Sequence, residues 1–385
     1  MSAKNGLAVS FRNRGRLVAC CVSVMALAMT AVFASSASAV PPIKETYLAL
    51  GDSLAFGYSQ QLFNENEKTG ENPKAFEHGY VDYYWKHLKP VLEGVQKVNN
   101  GCPGETTDSM IGNGALAAAF GIPGESPCAY HKAGLPLHHE YGGVSQLENT
   151  IGTIAGLSAA GKPVTHLTLN IGANDELHAI GKCEAEVKAE FEATGESKYN
   201  PEEPPESGKH PGTPEQAVKN CIVASVPGLF KHIIENIGRI LTAIREGEKF
   251  GGVNYAGPII FQASYDPYGN LCGPPATEKV LIPIETCRAA FKMKEGQKEI
   301  LEGSRNLAAL LTGQEKSNLA EPFAVCFADP LPKFNPANKF EPERLQKWTN
   351  MVNFSEFEGK KNGPDIHPTL EGYKKLNGIM VSTCG

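Results

Sequence analysis

The strongest constraint on this chain is a rhythm of short apolar runs, each stopped by a glycine or a small polar residue. Thr46-Tyr47-Leu48-Ala49-Leu50 stops at Gly51, and Val95 to Asn99 runs into Asn100-Gly101. Leu167-Thr168-Leu169-Asn170-Ile171 stops at Gly172, Ile259-Ile260-Phe261 gives way near Ala263-Ser264, and Phe323-Ala324-Val325-Cys326 gives way near Asp329-Pro330. Runs this short and this apolar read as buried strands. Helical spacing lies between them: Val144, Leu147, Ile151 and Ile154, then Phe230, Ile233, Ile234, Ile237, Leu241 and Ile244. Residues 287–312 carry a less regular stripe through Phe291, Ile300, Leu307 and Leu311. Alternating strand and helix predicts an α/β fold, a parallel sheet with helices on both faces. In such folds the functional groups gather at the carboxyl ends of the strands.

The first 39 residues stand apart. Lys4, Arg12, Arg14 and Arg16 form a basic start without an acid, Leu17 to Ala34 is almost wholly apolar, and Ala37-Ser38-Ala39 precedes Pro41-Pro42. This pattern predicts a bacterial secretory signal peptide of the general type, cleaved after Ala39. An N-terminal anchor is the alternative, but no second apolar span follows. Residues 40–385 then form the mature domain, and cleavage takes the formal charge from −6 to −10. An acidic, exported chain excludes nucleic acid as the expected partner and predicts no stable membrane span. A monomer is expected.

Eight cysteines remain once Cys20 and Cys21 leave with the signal. An even count in an exported chain implies disulfides. Sequential pairing is the simplest arrangement: Cys102–Cys128, Cys183–Cys221, Cys272–Cys287 and Cys326–Cys384. No pair has C-x-x-C spacing, which argues against a zinc site. Cys183 and Cys221 bracket a segment, about 184–220, rich in Glu, Pro, Gly and Lys. It reads as an inserted surface loop with one short helix near Ala185 to Ala193, a linker between two domains being the alternative.

Strand ends carry the chemistry. The first strand runs into Gly51-Asp52-Ser53-Leu54, which puts a serine hydroxyl at a helix start. The second is followed by Asn100 to Thr107, where Gly104 permits a tight turn that presents an N–H. The third ends in Gly172-Ala173-Asn174-Asp175, and Asp365-Ile366-His367-Pro368 precedes the last helix, around Glu371 to Ile379. Each piece alone is a cap or a turn. Together they supply what acyl transfer needs: a nucleophile, a base, and donors for an oxyanion. Ser53 with His367 gives the first two. The N–H groups of Ser53 and Gly104 and the Asn174 side chain give the third.

This combination resembles the SGNH hydrolase family, also called GDSL lipases and esterases, in its secreted bacterial type. Residues 47–58 look like its first block, Asn99 to Thr107 its second, Gly172 to Asp175 its third, and Asp365 to Tyr373 its last. The four blocks fall in order from residue 46 almost to the C-terminus. The resemblance implies a three-layer α/β/α sandwich with a flavodoxin-like sheet, and cofactor-free hydrolysis of small-molecule or lipid carboxylic esters. It also implies a Ser53–His367–Asp365 triad and an oxyanion hole of Ser53, Gly104 and Asn174. One departure stands out: the family pattern is D-x-x-H, but Pro364 is three residues before His367 and Asp365 only two. Asp266 and Asp329 are the reserve acids. The G-x-S-x-G elbow of the α/β-hydrolases is absent.

Other groups draw structural readings. His131, His138, His139 and Glu140 lack a metalloprotease spacing and read as surface residues. His166 and His178 flank the third strand, with His178 near enough to Asn174 to line the cleft. Ser264 to Tyr268 follow the fourth strand and read first as a turn at Asp266-Pro267, with substrate contact by Tyr265 or Tyr268 as the alternative. Tyr58, Phe63 and Phe76 in the loop from Ala55 to Phe76 read equally as an acyl wall or as plain core. The alternatives to an esterase are a polysaccharide O-deacetylase on the same scaffold and a non-catalytic carbohydrate- or surface-binding protein.

Overall fold

The computed structural model describes residues 44–112, 133–199, 213–267, 325–335, 347–350 and 365–385, with 119, 131, 302, 303, 306, 356, 357, 360 and 361 between them. Lys44–Gly385 forms one compact unit. The predicted signal peptide, Cys128, Tyr268, Cys272, Cys287 and most of the 287–312 stripe lie outside the described residues.

Five parallel strands build the sheet: β1 (Thr46–Gly51), β2 (Gln96–Asn99), β3 (Val164–Asn170), β4 (Ile259–Gln262) and β5 (Val325–Ala328). Their order is β2-β1-β3-β4-β5, the flavodoxin-like order. Side chains alternate across the sheet. On β1, Leu48 and Leu50 face one apolar layer while Tyr47 and Ala49 face the other. Both faces are covered by helices, which is why the strands read as unbroken apolar runs.

Among the described residues, nine α-helices follow in chain order. The first five are α1 (Ser53–Phe56), α2 (Gln60–Asn66), α3 (Tyr80–Leu88), α4 (Thr107–Ile111) and α5 (Gln146–Ala159). Then come α6 (Ala173–Thr194), α7 (Pro214–Arg245), α8 (Leu331–Phe334) and α9 (Leu370–Cys384). Leu147, Ile151 and Ile154 of α5 and Phe230, Ile233, Ile237 and Ile240 of α7 pack on the Leu48 face. Tyr80 and Tyr84 of α3 and Tyr373, Leu376 and Met380 of α9 pack on the Tyr47 face. The result is the expected helix–sheet–helix sandwich. Small antiparallel pairs complete it: β6 (Thr349–Asn350) with β9 (Asp365–Pro368), and β7 (Glu356–Phe357) with β8 (Lys360–Lys361).

Where it is described, the segment between Cys183 and Cys221 is helical at both ends, and the short helix expected near Ala185 to Ala193 is part of a longer one. Helix α6 continues to Thr194, where Gly195 takes the left-handed conformation and returns its N–H to Phe191. Helix α7 starts at Pro214 behind a Thr213 cap. The two helices pack on each other through Cys183, Val187, Ala217, Cys221 and Ile222, and the Cys183–Cys221 disulfide joins them. The low apolar content of its described parts reflects two packed helices with a narrow buried stripe and wide solvent faces. The Cys326–Cys384 disulfide is also formed, tying β5 to the end of α9. No helix among the described residues is long and apolar enough to cross a membrane.

Candidate active site

Strand order places the site. The order in which strands are added reverses between the parallel neighbours β1 and β3, and the crevice at such a switch point receives the segments that leave the ends of both strands. Asp52-Ser53 come directly after β1, and Gly172 to Asp175 come after β3. The turn at Gly51 is forced: its φ is +139°, and a Cβ there would stand 2.1 Å from the Asn170 carbonyl oxygen. Only glycine lets β1 end against β3 this closely. Asp52 then caps α1 by accepting the Leu54 N–H at 2.9 Å, and Ser53 opens the helix.

Ser53 Oγ lies 2.8 Å from His367 Nε2, and His367 Nδ1 lies 2.6 Å from Asp365 Oδ1. The segment 365–368 is not a loop but the strand β9, paired with β6. Residues two apart in a strand project to the same side. Asp365 therefore reaches His367 from position −2, and the same oxygen accepts the His367 backbone N–H at 3.1 Å. The second carboxylate oxygen accepts the Gln60 N–H at the start of α2, at 2.8 Å. Burial pushes the Asp365 carboxyl up, but the His367 ring and these backbone donors outweigh it and hold it below its ordinary value.

Several supports were not legible in the sequence. The Tyr58 ring packs on the imidazole, with centroids 4.7 Å apart. Tyr265 Oη donates to the Ile366 carbonyl, and Asn350 Nδ2 donates to the carbonyls of His367 and Pro368. Gln146 of α5 brackets Gly51, accepting its N–H at 2.7 Å and donating to its carbonyl at 3.0 Å, and also donates to Glu105. A glutamine inside a helix carries no sequence signal for such a role.

Gly104 lies in the turn closed by Glu105 N–H to the Cys102 carbonyl, with φ +84°. Asn174 Nδ2 donates to the Glu105 carbonyl at 2.8 Å. Asp175 accepts the Thr107 N–H at 2.9 Å. The third sequence block thus holds the second in place. Burial pushes Asp175 up to about 6 and Asp52 up to about 7, the latter opposed by the Leu54 N–H and by His367.

Ser53, His367 and Asn174 line a cleft that opens to solvent. Its walls are mostly apolar: Leu54, Leu177, Ile180, Tyr265, Pro267 and Ile366. Of the two readings of Tyr58, Phe63 and Phe76, the core reading is the one seen, since none of them lines the cleft. Those rings pack with Phe56 and Leu62 in a separate core, which Tyr58 joins while also touching the imidazole. Of the reserve acids, Asp266 borders the cleft with its backbone pinned by Asn335, and Asp329 caps Leu331. Asp365 is the acid on the imidazole.

His138 hydrogen-bonds the Phe56 carbonyl and packs on its ring. His131 pairs with Glu140 at 3.6 Å. His166 lies within β3, and His178 faces a groove between α6 and α7, away from the cleft. Among the described residues no cluster of three metal-ligating side chains occurs. Cys102 is disulfide-bonded.

No family model and no curated protein matches the chain. Among solved structures two enzymes are distantly similar to it. One is a gut microbial diltiazem-metabolizing enzyme, 13% identical, over 90% of this chain and 49% of that one, with a TM-score of 0.36. Another is an alpha/beta hydrolase enzyme from the metagenome of Lake Arreo, Spain, 14% identical, over 88% and 94%, with a TM-score of 0.32. Likeness at this level carries no argument about mechanism, which rests on the site itself.

Proposed function

We propose that this chain is a serine hydrolase of carboxylic esters, of the SGNH type. The observation that carries the reading is the unbroken chain from Ser53 Oγ through His367 to Asp365, opening on an apolar cleft. In this reading Ser53 Oγ attacks the acyl carbonyl carbon while His367 Nε2 takes the hydroxyl proton. Asp365 holds Nδ1 protonated and so leaves Nε2 free to accept. The tetrahedral oxyanion is met by the Ser53 and Gly104 N–H groups and by Asn174. The Asn174 amide has two N–H bonds: one is spent on Glu105, which orients the group, and the other is left for the cleft. His367 then returns its proton to the departing alcohol, and water attacks the acyl-serine by the same route in reverse. No step requires a cofactor. Export as a monomer after cleavage near Ala39 belongs to the same proposal, and two disulfides in the fold support it.

The test is hydrolysis of p-nitrophenyl esters from acetate to palmitate by the wild type and Ser53→Ala. Wild-type turnover with a loss of roughly 10⁴-fold or more in the variant is expected. Equal turnover in both would overturn the assignment of Ser53.

A further inference from the structure

The α6–α7 hairpin and the cleft share a residue. Ile180 lines the cleft with Leu177, and on its other side packs against the hairpin's apolar cluster of Cys183, Val187, Ala217, Cys221 and Ile222. Helix α6 starts at the site itself, since Asn174 is in its first turn. At 1.5 Å per residue Ile180 stands about 9 Å along the axis from Asn174, the reach of an extended alkyl chain of roughly eight carbons. Three residues beyond Ile180, Cys183 is joined to α7 by a disulfide. One helical turn thus connects the cleft wall to a covalent clamp.

We infer that the disulfide-clamped hairpin is the specificity element of this protein: Leu177 and Ile180 measure the acyl chain of an aliphatic ester, and the Cys183–Cys221 bond holds Ile180 in position. The inference rests on the ester-hydrolase reading and names its substrate class as esters of medium-length fatty acids. The wall is apolar, so each methylene it covers improves binding, by about fourfold where burial is complete. Beyond Ile180 no further gain accrues, and preference levels off. Cys183 and Cys221 do not border the cleft, so they act through Ile180 as positioning residues.

The experiment compares kcat/KM across acetate, butyrate, octanoate and laurate p-nitrophenyl esters. The proteins are wild type, Ile180→Ala, Ile180→Trp and the double variant Cys183→Ser/Cys221→Ser. Wild type is expected to rise to octanoate and then level. Ile180→Trp fills the wall and should lower the octanoate-to-acetate ratio by about tenfold or more, the worth of roughly two methylenes. Ile180→Ala should move the optimum toward laurate. The double cysteine variant should lower the octanoate-to-acetate ratio at least about threefold, mainly through KM, as expected for a loosened binding wall. Ratios unmoved by both Ile180 variants, with wild type active, would overturn the inference and leave the hydrolase reading standing. A ratio unmoved in the double cysteine variant would overturn the clamp. Absence of turnover on every ester by wild type would overturn both readings together.

Discussion

Replacing Asp365 by Asn tests the geometry most directly. The carboxylate is buried and serves three donors, His367 Nδ1–H at 2.6 Å and the His367 backbone N–H at 3.1 Å on one oxygen and the Gln60 N–H at 2.8 Å on the other. Asparagine has one carbonyl oxygen and cannot serve all three. If that oxygen keeps the Gln60 contact, the amide NH₂ faces Nδ1 and drives the imidazole into the tautomer with its proton on Nε2. That tautomer cannot accept the Ser53 proton. The negative charge that would steady the imidazolium is lost as well. Together these are expected to lower kcat by about 10³- to 10⁴-fold, or about 4–5.5 kcal/mol of transition-state stabilisation. The assay is steady-state hydrolysis of the best p-nitrophenyl ester, with a fluorophosphonate titration to count competent sites. The variant also has a stability signature. Asp365 has a folded pKa below its ordinary value of 3.8, so it contributes stability above that pH and loses it as pH falls through the depressed value. Asp365→Asn should therefore be less stable than wild type at pH 7, and the gap should close at strongly acid pH. A kcat within about threefold of wild type would refute the reasoning, since it would mean the carboxylate does not act through the ring it touches.

Two further substitutions probe the turn that carries Ser53. Asp52 has a folded pKa of about 7 against an ordinary value of 3.8, so between those values the folded chain holds a proton that the unfolded chain has released. Stability should fall as pH rises through that window, by roughly 1.4 kcal/mol per unit from this group at most. Asp52→Asn keeps a helix cap and should remove that contribution, giving a flatter urea-midpoint profile from pH 4.5 to 7.5. Parallel profiles for the two proteins would contradict the assignment. Gly51→Ala would set a Cβ 2.1 Å from the Asn170 carbonyl at a positive φ. A loss of about 3–5 kcal/mol is expected in urea unfolding, and a loss under about 1 kcal/mol would show that β1 and β3 can part without cost.

The sequence by itself determined the alternation of strand and helix, and with it the class of fold. It did so because a strand buried on both faces must be apolar at every position, as Tyr47 to Leu50 are. It also put forward Ser53, Gly104, Asn174 and His367 as candidates, because strand-end glycines and polar residues break those runs visibly, and the folded chain brings Ser53, Asn174 and His367 to one cleft. What it missed depends on contacts between distant segments. That Asp365 suits His367 at a spacing of two was decided by β9 being extended, and β9 is extended because β6 pairs with it. The bracketing by Gln146 and the ring of Tyr58 on His367 join residues 95 and 309 positions apart, and neither residue type announces a partner. The cleft wall is formed by Leu177 and Ile180 and not by the Tyr58–Phe76 loop for the same reason. Apolar residues at either place read alike in sequence, and only the folded chain decides which of them line the cleft beside Ser53 and which face one another.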